Sequence, residues 1–180
     1  MSIIQVPMGL SVGRQSWSQK RNDIEFRSSF GAQAIEGAGP MWLSTIEGTS
    51  KRPELWQAML LQLRGKTNQL ALWNMGRPVP KGTMRGSMTL GTTAQGAISL
   101  VITAAGQAGK TLLMGDFVGV GSGSTQQVVM VMADATSNGS GVITVSTEPA
   151  LRNAFASGAA VTWDRPKALF RRNGSTSEWT

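Results

Sequence analysis

The sequence predicts a mainly β protein with one α-helix, in which a small β-barrel or sandwich is inserted into a second β unit built from both ends of the chain. Three observations predict it. In the second half, short β-branched segments alternate with Gly-rich turns at roughly 8–12-residue spacing, the pattern of a small closed or two-layered β fold. The stretch from Pro53 to Arg64 carries apolar residues at helical spacing. Charge also breaks twice along the chain. Residues 1–90 hold 11 basic and 5 acidic side chains, residues 91–163 hold Lys110 and Arg152 against Asp116, Asp134 and Glu148, and residues 164–180 return to 4 basic and 2 acidic. The two ends resemble each other more than either resembles the middle, as they do around an inserted domain. A chain of 180 residues has room for two small units.

The elements follow in order. Ile24-Glu-Phe-Arg-Ser-Ser-Phe30 sets Ile24, Phe26 and Phe30 against polar residues, which reads as a half-buried strand. Gly31 and then Gly37-Ala-Gly-Pro40 punctuate the chain before Met41–Glu47, a second strand. The helix over Pro53–Arg64 begins with a proline whose missing N–H costs little in a first turn. Glu54 sits at the positive end of its dipole, and Arg64 and Lys66 at the negative end. Leu55, Trp56, Met59, Leu60 and Leu63 form one apolar face, and Gly65 supplies the stop. Three turns are marginal alone in water, so this helix must pack on the sheets. Gln69–Asn74 follows as a strand, and Met84–Leu90 as one interrupted at Gly86. The middle unit offers 97–103, 111–114, 117–120, 127–132, 142–146 and 160–163, and 167–171 closes the series. From Asn173 onward the chain is polar and expected to fray.

Composition removes much familiar chemistry. With no Cys there is no disulfide, thiolate ligand or Cys nucleophile, and with no His there is no Ser-His-Asp triad. No apolar run is long enough to span a bilayer, and the start Met-Ser-Ile-Ile-Gln-Val-Pro is unlike a signal peptide, so use without secretory export is expected.

The motifs that remain have structural explanations. Ala104-Ala-Gly-Gln-Ala-Gly-Lys-Thr111 imitates a phosphate loop, with Asp134 imitating its strand-borne partner. A phosphate loop must open a helix, whereas Gly115-Asp116 cuts this stretch short, so a hairpin turn is expected. Gly119-Val-Gly-Ser-Gly123 lacks the dinucleotide spacing. Glu25, Glu36 and Glu47 lie on strand-like segments where solvent exposure accounts for them, and Asp116, Asp134 and Glu148 lie in or beside turns. Lys20-Arg21, Lys51-Arg52, Lys81 with Arg85, and Arg171-Arg172 are scattered pairs rather than a recognition motif. No residue is assigned a catalytic, cofactor-binding or metal-binding role. Of six Trp, Trp56 fits the helix core and Trp42, Trp73 and Trp163 fit strands. Trp17 and Trp179 lie in weakly patterned ends and are the candidate interface residues, explained equally by contact with another chain or by self-packing.

The order of Phe30-Gly-Ala-Gln-Ala-Ile-Glu36, Met41-Trp-Leu43, Leu55-Trp-Gln-Ala-Met-Leu-Leu-Gln-Leu-Arg-Gly-Lys66, Leu70-Ala-Leu-Trp73 and Pro80-Lys-Gly-Thr83 resembles tail-tip proteins of long-tailed (siphovirus-like) bacteriophages. So does the middle stretch, with Leu113–Val118, Val129–Ala135, Gly141–Val145, Glu148–Arg152 and Gly158–Val161. The resemblance covers about residues 20–172 and is nearest to the distal tail proteins. It implies a β-sandwich or barrel ring-forming domain with one helix from residues 1–90 and 164–180, and an inserted, OB-like barrel from 91–163. It implies a structural, non-enzymatic protein of the virion tail tip or baseplate, assembled in the host cytoplasm. The ring, a hexamer, would join tail tube protein to tail hub, with the tape measure protein as a further partner. DNA would pass through its channel, and neither membrane nor cofactor would be involved. The alternatives are another minor tail or tail-terminator protein and, in a different class, a nucleic-acid-binding β-barrel. That last reading needs exposed aromatics next to positive charge, and the middle unit offers Phe117 and Phe155, far apart in sequence, with Trp163 and almost no positive charge.

Overall fold

The structure, a computed structural model, describes residues 1–37, 39–49 and 51–174. Its first half holds strands β1 (Ile3–Gln5), β2 (Val12–Lys20), β3 (Asp23–Ser28), β4 (Gly31–Glu36) and β5 (Met41–Gly48), helix α1 (Pro53–Leu63), and strands β6 (Gln69–Leu72) and β7 (Met88–Leu90). There follow β8 (Ser99–Ala104), β9 (Thr111–Leu112), β10 (Phe117–Val120), β11 (Gln127–Val131), β12 (Ala135–Thr136), β13 (Val142–Glu148), β14 (Ala159–Thr162) and β15 (Ala168–Phe170). The fold is mainly β, as the sequence predicts.

Six antiparallel strands close into a barrel in the order β10, β11, β13, β8, β7, β14. Period-two alternation drives the closure. Leu100, Ile102 and Ala104 of β8 point inward while Ser99, Val101 and Thr103 face out, and Ile143 and Val145 of β13 do the same. With Met84, Leu112, Val118, Val120 and Leu151 they form the largest core cluster. The barrel starts at Met88, just ahead of the charge boundary at residue 91. Of the stretch 84–90, Met88–Leu90 alone is strand: Gly86 sits at φ 82° and breaks it, and Met84 fills the barrel core from the preceding loop.

Strands β10 and β11 depart from the alternation. All of Phe117–Val120 is buried, and so are Gln127, Val128, Val129 and Val131. A strand buried on both faces reads as a continuous apolar run because something covers its outer side. Here Phe117, Val128 and Ala168 cluster with Trp17, Trp42, Met130 and Phe170. The seam between the barrel and the rest of the chain is therefore apolar and largely aromatic.

Outside the barrel, β6 is the middle strand of a three-stranded sheet, parallel to β1 and antiparallel to β15. Leu70 and Leu72 pack under Met59 and Leu63 of α1. Trp56 donates its indole N–H to the Ser11 carbonyl at 3.0 Å. Its ring lies so close to Gly48 that a Cβ there would stand 2.7 Å from it, so this position requires glycine. The helix ends one residue earlier than expected: Arg64 itself turns left-handed at φ 47°, ahead of Gly65 at φ 64°. Asn68 stabilises that end, its amide donating to the Gln62 carbonyl and its backbone N–H to that of Leu63.

Candidate assembly interface

Residues 12–48 form a β-ribbon. β2 pairs with β5 from Val12↔Gly48 to Lys20↔Met41, with a bulge near Gly13. Beyond them β3 pairs with β4 from Asp23↔Glu36 to Ser28↔Gly31. Ser29-Phe30 makes the turn, where the Phe30 N–H donates to Ser28 Oγ. The nine-residue strand β2 and the strand β4 were not anticipated. The single strand expected over 24–30 is instead β3 plus this turn, with Phe30 at its tip.

The base of the ribbon is anchored. On its inner side Gln15, Trp17 and Gln19 stand opposite Ile46, Ser44 and Trp42. Gln15 donates to the Trp73 carbonyl and accepts from the Met75 N–H at 2.7 Å. Trp42 donates to the Val128 carbonyl at 2.8 Å, tying the ribbon to the barrel wall. The Trp17 ring meets Phe170 edge-on at 5.1 Å and lies 6.0 Å from both Trp42 and Phe117. Glu148 at the end of β13 accepts from Arg21 at 3.1 Å and from Gln19 at 3.4 Å.

The outer hairpin has no such support. β3 and β4 pair with each other and with no further strand among the described residues. Ile24 is 54% exposed, Phe26 57%, Ile35 48% and Phe30 100%. Ile24 and Ile35 are direct cross-strand partners, and Phe26 lies two residues along on the same face. The opposite face carries Asp23, Glu25 and Arg27, with Arg27 paired to Glu25 at 2.9 Å. The alternation that suggests a half-buried strand is real, but the described residues provide no cover for its apolar side.

The residues singled out by sequence distribute as follows. Trp17 is half-buried in the aromatic seam, so its intramolecular packing is well developed, and Trp179 lies outside the described residues. Glu25 stands across from Ala34 and Glu47 from Arg14, at opposite ends of the ribbon, and Glu36 lies across from Asp23. Glu25 and Glu47 therefore do not converge on one site.

Lys110 is exposed and leads directly into β9, so no helix N-terminus faces the loop before it. Asp116 is buried and accepts from the backbone N–H groups of Lys81, Gly82 and Leu113, and Asp134 accepts from that of Met114. Arg85 donates to the carbonyls of Pro80, Gly82 and Met84 and lies 4.9 Å over the Trp163 ring. Phe117 and Phe155 are buried.

The sequence pattern does not single out Ile35, and it presents Ile24, Phe26 and Phe30 as the apolar side of a half-buried strand. The signal was present as two apolar alternations flanking Ser-Ser-Phe-Gly, the layout of a hairpin with one apolar side. No protein-family model matches the chain, and no curated protein matches it at a significant level.

Proposed function

We propose that this protein is a structural, non-enzymatic subunit of a long-tailed bacteriophage tail tip, a distal tail protein that closes into a ring of six. The ring would join the tail tube to the tip hub and leave an open channel for DNA. On this reading residues 1–90, less the barrel strand β7, and 164–180 form the ring-building domain, and 91–163 together with β7 form an inserted, OB-like barrel. The observation that carries it is the β3–β4 hairpin, an amphipathic two-stranded ribbon with its apolar face uncovered. An isolated two-stranded hairpin is marginal in water, and large exposed apolar faces mark contact surfaces. The order of motifs from Phe30 to Val161 supplies the family and the neighbours. The nucleic-acid-binding alternative has less to support it, because Phe117 and Phe155 are buried and Trp163 lies beneath Arg85.

The test is size and shape. Light scattering at micromolar concentration is expected to give about six times the 19.1 kDa chain mass, and negative-stain images a ring with a central hole. A 19.1 kDa species at every concentration and salt would reject the reading.

A further inference from the structure

Two unmatched surfaces in this chain complement each other. One is the hairpin face of Ile24, Phe26 and Ile35 with Phe30 at its tip. The other is an open groove of about 450 Å³ between the ribbon base and the barrel, formed by Trp17, Trp42 and Phe117 with Met130, Met132 and Arg77. We infer that the hairpin of one copy docks in this groove of a second copy. The inference rests on the ring reading for its closure, not for its chemistry.

Four observations carry it. First, the groove suits an aromatic tip. Its floor is a set of tilted and edge-on rings, and methionine side chains adapt to an inserted ring. Second, the groove is open where Met132 lines it at 45% exposure, so an incoming side chain can reach its wall.

Third, charge is complementary. Residues 23–36 hold Asp23, Glu25 and Glu36 against Arg27, a net of −2 in a chain of +7, so the remainder carries +9. Arg77 stands exposed at the groove, and the carboxylate that also lines it, Glu148, is ion-paired with Arg21 at 3.1 Å. Such a pairing steers approach and weakens as salt screens it. Fourth, the hairpin does not fill its own groove: Ile24, Phe26, Phe30 and Ile35 stay exposed while the groove beside Gln15–Gln19 and Trp42 stands open.

Burying the fully exposed Phe30 and the 57% exposed Phe26, at roughly 150–250 Å² for a whole side chain, covers about a third of the ~800 Å² per partner of a standard interface. Because hairpin and groove are different patches, the contact is head-to-tail and can propagate around a closed ring.

The chain has no cysteine, so thiols can be placed at will. Phe30→Cys and Met132→Cys each alter an exposed position, the latter on the groove wall. A short bis-maleimide is expected to join the two variants into a covalent dimer when they are mixed. The double variant is expected to give a ladder of covalent oligomers. In a second arm, Phe30→Asp and Met132→Arg are each expected to lose self-association at least tenfold, while their equimolar mixture forms dimers and nothing larger.

Oligomers by light scattering without a 30–132 link would overturn the inference and leave the ring reading standing. A protein that is monomeric throughout would overturn both.

Discussion

Asp116 holds the connection after β6 against the barrel. Its Oδ1 accepts from Lys81 and its Oδ2 from both Gly82 and Leu113, at 2.7–3.0 Å. Asp116→Ala leaves buried N–H groups without an acceptor and is expected to cost about 3–4 kcal/mol, whereas Asp116→Asn keeps one oxygen and is expected to cost about half that. Urea denaturation of the two variants measures both. Lys110 is the contrast. Its side chain is exposed, while its backbone N–H is held by Ser137 Oγ at 2.9 Å. Lys110→Ala is expected to stay within about 0.5 kcal/mol of the parent, and calorimetric titration with ATP and magnesium is expected to show no heat of binding. The turn residues around 104–111 were readable as a turn because a helix cannot start and stop within so few residues. The role of Asp116 was not, because its partners at Lys81 and Gly82 are distant in sequence.

Among elements, those with strong periodicity were legible. Strands β8, β10, β11 and β13 combine β-branched residues with Gly-rich turns, and α1 shows its apolar stripe directly. Strand β2 was illegible for a physical reason. Of its inward positions, Trp17 is aromatic, but Gln15 and Gln19 satisfy the interior by hydrogen bonding, which leaves no hydrophobic alternation to read. The groove was hidden as well, since Trp17 and Phe117 are a hundred residues apart in sequence. At α1, the half-buried Trp56 both packs on Gly48 and donates to Ser11. Trp56→Ala is expected to cost about 2–3 kcal/mol, and Trp56→Phe about 1 kcal/mol for the lost hydrogen bond alone. Thermal melts by circular dichroism rank the two.

At the scale of the whole molecule, the barrel and the surrounding unit share their aromatic seam. Replacing residues 92–162 with a short Gly/Ser linker removes Phe117, Val128 and Met130 from beneath Trp17, Trp42 and Phe170. The excised protein is expected to keep α1 on the β1–β6–β15 sheet, to melt at a lower temperature than the parent, and to bind a hydrophobic dye at the bared tryptophans. A melt unchanged from the parent would mean that the seam contributes nothing to the outer unit.

The closed barrel and the open ribbon also differ in how they invite unwanted neighbours. A closed barrel has no free strand edge, while β3 and β4 each leave one edge unpaired among the described residues, beside an apolar face. Such a ribbon is a template for strand-on-strand growth into filaments. Asp23, Glu25 and Arg27 stand along one of these edges, where charge makes continued stacking unfavourable. These charged residues thus act as gatekeepers against runaway aggregation of an exposed apolar segment.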